Sequence, residues 1–287
     1  MTRAAEIETH IGNMAELRDI VGAMRSLASA RVQRTQQMLT GIRSYAETMA
    51  KGIGVALLLM PEPMAPPTTQ PGRRTVVLFT AEHGFVAGFN DRLLDAATTA
   101  LDRHDRLFIL GTRGVIAAEE RKLAAAWTGP MATRPEAAAE TTRRLTSELY
   151  RAIATGELTR VDVMFARHRQ NQNMTIERRR VFPVDPSSLT PARQQQPPLH
   201  NVRPDHLLEK LIADYVFALL TEAAVESIAS ENAARFAAMQ SAHDNISDKL
   251  EELRRDASQA RQAEITTELL DLVTGAEAQS ARRPAAS

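Results

Sequence analysis

Residues 236–260 read FAAMQSAHDNISDKLEELRRDASQA, and apolar or small side chains recur along them at alternating steps of three and four. The recurring positions are Phe236, Met239, His243, Ile246, Leu250, Leu253, Ala257 and Ala260. An average step of 3.5 residues is the period of a left-handed coiled-coil seam. Because no proline occurs between Pro204 and Pro284, the pattern predicts one long helix over residues 205–275. We expect residues 276–287 to form a flexible tail.

The first 60 residues carry the same period and predict a second long helix. Its seam positions are predicted as Ile7, His10, Met14, Leu17, Val21, Met24, Ala28, Arg31, Thr35, Met38, Ile42, Tyr45 and Met49. The helix must end by Pro61, where the proline-rich stretch PEPMAPPTTQPG begins. This composition indicates a loop over residues 61–74.

The segment between these helices has a different pattern, typical of a small α/β domain over residues 75–183. Short apolar or alternating runs predict strands at 75–79, 106–111, 124–129, 159–169 and 174–184. Amphipathic segments predict helices at 90–103, 113–122 and 135–155, with Asn90 as the N-cap of the first. Strands that alternate with helices favour a parallel sheet. The proline- and glutamine-containing residues 184–204 are interpreted as a linker.

The lengths of the two long helices constrain the architecture. At 1.5 Å per residue, they would extend for about 80 Å and about 100 Å. A compact chain of this size has a radius of gyration of only about 19 Å. The two helices must therefore project, and we expect them to pair in antiparallel orientation as a rod with the α/β domain at one end.

Composition excludes several classes of function. The chain of 287 residues is 44% hydrophobic and 24% charged, contains no cysteine, and has a formal net charge of zero. The absence of cysteine excludes disulfides, thiolate metal sites and cysteine nucleophiles, and the charge balance argues against nucleic-acid binding. No apolar run approaches the roughly 20 residues of a membrane-spanning helix, and the N-terminus predicts neither a secretory signal nor a transit peptide.

Motifs for catalysis or metal binding are also missing from the sequence. The seven histidines show no metal-ligand spacing, and there is no nucleophile elbow, Walker A loop or dinucleotide fingerprint. We therefore predict no catalytic residue, no metal and no cofactor.

Four stretches of the sequence carry a resemblance to one family. They are IVGAMRSLASARVQRTQ (20–36), EHGFVAGFNDRL (82–93), SENAARFAAMQSAHDNISDKL (230–250) and ARQAEITTELLDLVTGAEA (260–278). Together with the order helix, α/β domain, helix, they resemble the gamma subunit of F-type ATP synthases. The stretch MAELRDIVG (14–22) and the triplet Val86-Ala87-Gly88 depart from the family pattern. With these departures, the chain resembles a divergent bacterial member of the family, such as the gamma subunit of an alternate F-type ATPase.

The resemblance implies a fold and a function. The fold would be a long antiparallel coiled coil of the terminal helices with a central Rossmann-like α/β domain. The chain would be a non-catalytic rotor shaft that couples rotation of the c-subunit ring to the catalytic sites on the beta subunits. Its partners would be the alpha/beta hexamer, the epsilon subunit and the c ring. It would be peripheral, on the cytoplasmic side of the bacterial plasma membrane.

The resemblance also implies contact residues. At the tip of the shaft, contacts with the beta subunits are expected from Met24, Arg261, Gln262, Thr266, Glu268 and Asp271. At the foot, contacts on the side of the c ring and epsilon are expected from Gly84, Gly88, Phe89 and Asn90. For each, an ordinary structural role is the competing interpretation, because charged residues at helical spacing usually form a solvated face.

Two other functions are compatible with the periodicity alone. A coiled-coil scaffold with an α/β end domain would self-associate through its heptad seam. A small α/β enzyme with helical dimerisation arms would need a pocket of convergent polar groups at the strand ends, and ligand-dependent stabilisation of the isolated chain would support it.

Overall fold

The computed structural model describes residues 3–60, 73–168, 174–184, 189 and 200–281, apart from the side chains of Asp271 and residues 275–281. The first helix, α1, comprises Arg3–Leu57, and the last, α5, comprises Pro204–Ala281. Helix α5 thus continues past Gly275, where the sequence predicted its end. Most of the predicted loop 61–74 and linker 184–204, and residues 282–287 of the predicted tail, lie outside the described residues.

The sequence between the two long helices forms a five-stranded sheet. Its strands are β1 (Arg74–Phe79), β2 (Arg106–Leu110), β3 (Trp127–Gly129), β4 (Arg160–Arg167) and β5 (Thr175–Phe182). The spatial order is β3-β2-β1-β4-β5, and only β4 and β5 pair in antiparallel orientation. The predicted mixed fold, with long terminal helices and a central α/β domain, is confirmed.

Three shorter helices connect the strands. They are α2 (Phe89–Ala100), α3 (Thr112–Glu120) and α4 (Ala138–Ala154), the last preceded by a 3₁₀ turn over Pro135–Ala137. The predicted N-cap at Asn90 is wrong, since Gly88 occupies the N-cap of α2. The Asn90 side chain instead accepts a hydrogen bond from the Ala81 backbone N–H, at 2.9 Å.

The two faces of the sheet bury different side chains, as the alternation of strand residues requires. Val77 and Phe79 of β1 face a cluster that includes Leu145 of α4 and Leu220 of α5. Val76 and Leu78 face α2 and α3, where they join a second cluster with Leu94, Ala97 and Ala118. The parallel strands are therefore apolar on both faces, as buried parallel strands are.

The chain divides into two compact units. One comprises residues 1–26 and 239–287, and the other comprises residues 27–238. In the first unit, Glu8 pairs with Arg261 and Arg25 contacts Gln240, so the two helix segments run antiparallel. In the second unit, antiparallel packing also brings Ala46, Ala50 and Ile53 of α1 against Leu208 and Tyr215 of α5.

The seam of α1 differs in half of its positions from the predicted one. Val21, Ala28 and Thr35 are buried as predicted, but Leu17 and Tyr45 are exposed. Leu39 and Ala46 are buried in place of Met38 and Tyr45, whereas Met24 and Arg31 are half-buried to the same degree as the residues that follow them. Each heptad contains one spacing of three residues and one of four, and the period does not determine which comes first. Because the two helices approach closely, small side chains such as Ala46 are favoured in the seam. In α5 the predicted seam positions Met239, Ile246, Leu250, Leu253 and Ala257 are buried and His243 is half-buried. Phe236 is exposed, and Arg235 is buried in its place.

Candidate coupling surfaces

The central stretch of α5 is buried although it contains several charged residues. Every residue from Thr221 to Asn232 is buried, and so is Arg235. Buried charges are costly unless they are paired and hydrogen-bonded. The contacts of these charges therefore define how the α/β domain holds α5.

Three glutamates and three arginines form what we call the buried ion cluster. Its members are Arg43 of α1, Arg167 of β4, Glu177 and Arg179 of β5, and Glu222 and Glu226 of α5. Glu222 receives Arg43 Nε at 2.9 Å and Arg179 Nη1 at 2.7 Å. Glu226 receives Arg167 Nε at 3.2 Å and also pairs with Arg43. The cluster is electrically balanced, and it joins α1, α5 and the antiparallel edge of the sheet.

The protonation of this cluster follows from its pairing. Burial alone would raise the pKa of Glu222, but the hydrogen bond from Arg43 and the charge of Arg179 outweigh burial and lower that pKa. The hydrogen bond to Glu222 likewise raises the pKa of Arg43, against the effect of burial. Both groups are therefore charged at neutral pH, and the pair is ionic.

Two serines of α5 bond directly to the sheet. Ser227 Oγ donates to the Phe79 carbonyl at the end of β1, at 2.7 Å. Ser230 Oγ donates to the Ala166 carbonyl in β4, at 2.8 Å. Both hydroxyls are buried, so the loss of either bond would leave a carbonyl without this partner in the interior.

Further along α5, Arg235 fixes the loop that follows β1. Its guanidinium pairs with Glu231 Oε1 at 2.6 Å and donates to the Gly84 carbonyl at 3.3 Å. Burial raises the pKa of Glu231 even though Arg235 lies beside it. From the other side of the loop, Glu82 accepts bonds from Thr112 and from the Met131 backbone N–H.

The predicted foot residues Gly84, Gly88, Phe89 and Asn90 lie on or beside this loop and play different roles. Gly88 has φ +68° and is exposed, so it supplies a left-handed conformation that favours glycine. Gly84 needs no such freedom, because a side chain there would meet Arg113 only at an ordinary contact distance of 3.6 Å. Asn90 is committed to its bond with Ala81.

Phe89 is not available as a surface contact. It is fully buried and packs with Val86, Leu93 and Ala166 in the interior of the α/β domain. The exposed aromatic ring of the loop belongs to Phe85, which is 69% exposed and has φ +62°. The sequence signal for Phe85 is its position directly after Gly84, whereas the family pattern points to Phe89.

The predicted tip residues lie on the paired helices of the first unit and on the end of α5. Met24 is half-buried, and Arg261 is exposed and pairs with Glu8. Gln262, Thr266 and Glu268 are exposed, and Thr266 Oγ1 donates to the Gln262 carbonyl at 2.9 Å. Asp271 lies on the helix, but its side chain is outside the described part of the structure.

Beyond Glu264, every side chain of α5 that the structure describes is exposed. We call residues 265–270 and 272–274 the exposed segment, because every one of them is exposed. Its large apolar side chains are Ile265, Leu269, Leu270, Leu272 and Val273, and Leu270 is 61% exposed. Contiguous exposed apolar surface of this kind marks an interaction site.

Within the described residues, no group of three or more histidine, aspartate or glutamate side chains could hold a metal ion. A search of the same residues for a helix with the length and apolar character of a membrane span found none.

Comparison with known proteins agrees with this geometry. A family model described as ATP synthase matches residues 3–279. The chain belongs to the ATP synthase gamma-chain family. The ATP synthase gamma chain of Thermobifida fusca is 28% identical over 279 residues, which cover 91% of each chain. That of Anaeromyxobacter dehalogenans is 29% identical and covers 97% of this chain and all of the relative.

Chains in solved structures of mitochondrial ATP synthases share the fold. A chain of the Euglena gracilis mitochondrial ATP synthase, from its OSCP/F1/c-ring part, aligns with a TM-score of 0.62 and 13% identity. The alignment covers 99% of this chain and 97% of that one. The predicted identity as a non-catalytic gamma subunit is confirmed by the family and its relatives.

Sequence reasoning missed the residues that hold α5 to the sheet. Glu222, Glu226 and Glu231 interrupt an otherwise apolar and small-residue run of α5. Acidic residues inside a run that is apolar all round were the available signal, because such residues need buried partners.

Proposed function

We propose that this chain is the central rotor shaft of a bacterial F-type ATP synthase or ATPase. In this role it couples rotation of a c-subunit ring to conformational changes at catalytic sites on the beta subunits. Its partners are the alpha/beta hexamer, the c ring and the epsilon subunit. It is peripheral to the membrane and acts on the cytoplasmic side of the plasma membrane.

The observation that carries this proposal is the exposed segment of α5. Five large apolar side chains are exposed on a helix whose central stretch, Thr221–Asn232, is fully buried. Burial of apolar surface contributes about 25 cal/mol per Å², so an assembled complex that surrounds this segment would be strongly favoured. Apolar partner surface around the exposed segment would bury these side chains without directional bonds, so that it would not fix the shaft at one rotation angle.

The polar tip residues would provide the angle-dependent part of the interaction. Arg261, Gln262, Thr266, Glu268 and Asp271, with Met24 on α1, are proposed to contact the beta subunits. Because the shaft presents a different face to each of three catalytic sites, it favours a different conformation at each. Coupling of this kind requires only that contacts differ in free energy between discrete states.

The buried polar contacts of α5 are suited to the transmission of torque from the α/β domain to the shaft. A shaft that transmits torque must not slip relative to the domain that drives it. Charges and serine hydroxyls buried between α5 and the sheet lose their partners if the helix turns or slides. We propose that the α/β domain meets the c ring and the epsilon subunit through the loop with Gly84, Gly88 and the exposed Phe85.

Related structures support the choice of partners. A second Euglena gracilis structure is described as the rotor of the mitochondrial ATP synthase, and a Tetrahymena thermophila structure as the central stalk and c ring. These two align with TM-scores of 0.59 and 0.54, at 12% and 15% identity. They cover 91% and 78% of this chain and almost all of their own.

The first test is purification from the native host through an affinity tag on this chain. We expect one copy of the chain with three copies each of two large nucleotide-binding subunits, measured by native mass spectrometry. Recovery of the chain only as a homodimer, under conditions that keep such complexes intact, would overturn the proposal. The coiled-coil scaffold would then be favoured.

A second test uses the absence of cysteine from the chain. Leu270→Cys introduces the only thiol of this chain at the exposed segment. In a complex with one matching cysteine in a beta subunit, oxidation should cross-link the two and abolish ATP hydrolysis, and a reductant should restore it. Arg103→Cys, at an exposed position of the α/β domain, is the matched control and should not cross-link to beta.

A further inference from the structure

A cleft at the antiparallel edge of the sheet is not used by the proposed shaft function. It has a volume of about 590 Å³ and lies between β4, β5 and the N-terminal half of α5. This volume is within the range of small-molecule sites, about 300–1,000 Å³. Its lining residues are Arg160, Asp162, Arg178, Arg179, Arg180, Val181, Val184, Tyr215 and Leu219.

The arginines of the cleft exceed its carboxylates. Asp162 is buried and receives Nε and Nη2 of Arg160 at 2.9 and 3.0 Å, and also Nε of Arg178 at 2.9 Å. One carboxylate is thus shared by two guanidinium groups, which leaves one positive charge. Burial would raise the pKa of Asp162, but the bonds from Arg160 and Arg178 outweigh it and lower the pKa, so the carboxylate stays ionised.

Arg179 adds nothing to this excess. Its guanidinium is committed to Glu177 and Glu222 within the buried ion cluster, which is electrically balanced. Arg180 is different. It lies opposite Asp162 in the β4–β5 pairing, is exposed, and forms no ion pair with a carboxylate in the described part of the chain. The cleft therefore carries about two uncompensated positive charges.

Free hydrogen-bond donors accompany these charges. Arg160 and Arg178 bond to Asp162 through Nε and Nη2, so their Nη1 groups remain for another acceptor. The Tyr215 side chain lines the cleft, and its hydroxyl forms no hydrogen bond among the described residues. Val181, Val184 and Leu219 supply apolar walls beside these donors.

We propose that this cleft binds a phosphate group, with Arg160, Arg178 and Arg180 as its cationic ligands and Tyr215 as a neutral donor. Guanidinium groups match the geometry of phosphate oxygens and bind them in bidentate fashion. A phosphate monoester carries nearly two negative charges at neutral pH and would balance the excess, and a phosphodiester headgroup would balance half of it. The phosphate is either free, as in a nucleotide or pyrophosphate, or part of an anionic lipid headgroup.

The experiment measures binding to the purified full chain at low ionic strength, where charge interactions are least screened. The first probe is pyrophosphate, titrated by calorimetry. The second is vesicles of phosphatidylglycerol in phosphatidylcholine, measured by co-sedimentation against vesicles of phosphatidylcholine alone. Pyrophosphate binding indicates a soluble phosphate ligand, whereas binding to phosphatidylglycerol vesicles without pyrophosphate binding indicates a lipid headgroup.

Three variants make the result specific to the cleft. Arg180→Gln removes an unpaired charge and should weaken binding about tenfold, as expected for one charge-assisted hydrogen bond. Tyr215→Phe should weaken binding by a few-fold, since it removes one neutral donor. Arg103→Gln, which removes an exposed arginine elsewhere in the same domain, should leave binding unchanged.

The proposal is overturned if neither probe binds, or if Arg180→Gln and Arg103→Gln bind equally well. Thermal unfolding of each variant shows whether a loss of binding comes from a loss of folding. Arg180→Gln breaks no ion pair in the described structure, so its melting temperature should match that of the unmodified chain. The test is independent of the proposed shaft function, because neither assembly with partners nor ATP hydrolysis enters the measurement.

Discussion

Helix α5 is surrounded very differently in its central stretch and in its exposed segment. From Thr221 to Asn232 every residue is buried, and glutamates and serines bond to α1 and to the sheet. From Ile265 to Leu270 every residue is exposed, and three of the six side chains are large and apolar. This order reverses the usual distribution, in which charges are exposed and apolar side chains are buried. Directional bonds fix one position of a helix, whereas apolar surface leaves its rotation free.

The largest effect is expected where the buried charges are broken. Glu222→Gln leaves Arg43 and Arg179 without a full counter-charge, and we expect it to lower the free energy of unfolding by about 3 kcal/mol. The measurement is urea unfolding of the isolated chain. Glu136→Gln is the control, because Glu136 forms only an exposed pair with Arg34. Equal stability of the two variants would contradict a structural role for the buried ion cluster.

The next largest effect separates the buried seam of α5 from its exposed segment. Leu250 is 1% exposed, and Leu250→Ala should lower the free energy of unfolding by about 2–3 kcal/mol, measured in urea. Leu270→Ala removes the same atoms from the exposed segment and should change it by less than about 0.5 kcal/mol. A large loss in Leu270→Ala would mean that the isolated chain covers this segment itself.

Acid should weaken the central stretch in preference to the exposed segment. The pKa values of Glu222 and Asp162 are lowered in the folded chain, so their contribution is present above the ordinary carboxyl pKa of about 4. It is lost as the pH falls through their folded pKa values. The raised pKa of Glu231 has the opposite sign and offsets part of this loss. Urea unfolding at pH 7, 4 and 3 should show a shallower decline in Glu222→Gln than in the unmodified chain.

The smallest effect on stability is expected at the tip. Arg261→Gln removes an exposed ion pair with Glu8, and the free energy of unfolding should fall by about 0.5 kcal/mol or less. In the assembled complex the same change should lower ATP-driven activity several-fold, because a charged contact with a beta subunit is lost. Unchanged activity would remove Arg261 from the proposed contacts, although the shaft function itself would stand.

Much of the fold was predictable because its signals are local and repeated. The 3.5-residue period from Met239 to Ala257 predicted the seam of α5, and the apolar runs of β1 and β2 predicted buried strands. The seam of α1 was half wrong, since the period does not distinguish Leu17 from the neighbouring position. That choice depends on how closely the partner helix approaches.

The contact residues were less predictable than the fold. Phe85 in the loop and Phe89 at the start of α2 lie four residues apart, and only the packing against Leu93 and Ala166 shows which ring is buried. In the sequence alone, the run Arg178-Arg179-Arg180 is typical of a solvated strand edge. In the structure Arg178 pairs with Asp162, Arg179 belongs to the buried ion cluster, and Arg180 is exposed. A sequence shows the charges but not the distant carboxylates that pair with them.

The sequence by itself determined two long helices, a central α/β domain and the absence of cysteine chemistry, because period, length and composition are properties of the chain alone. It also determined the family, through motifs that lie mostly on α5. The tertiary structure decided which charges are buried and which apolar residues are exposed. Glu222 meets Arg43 and Arg179 only when segments far apart in the chain pack together, and such pairing depends on distance in space.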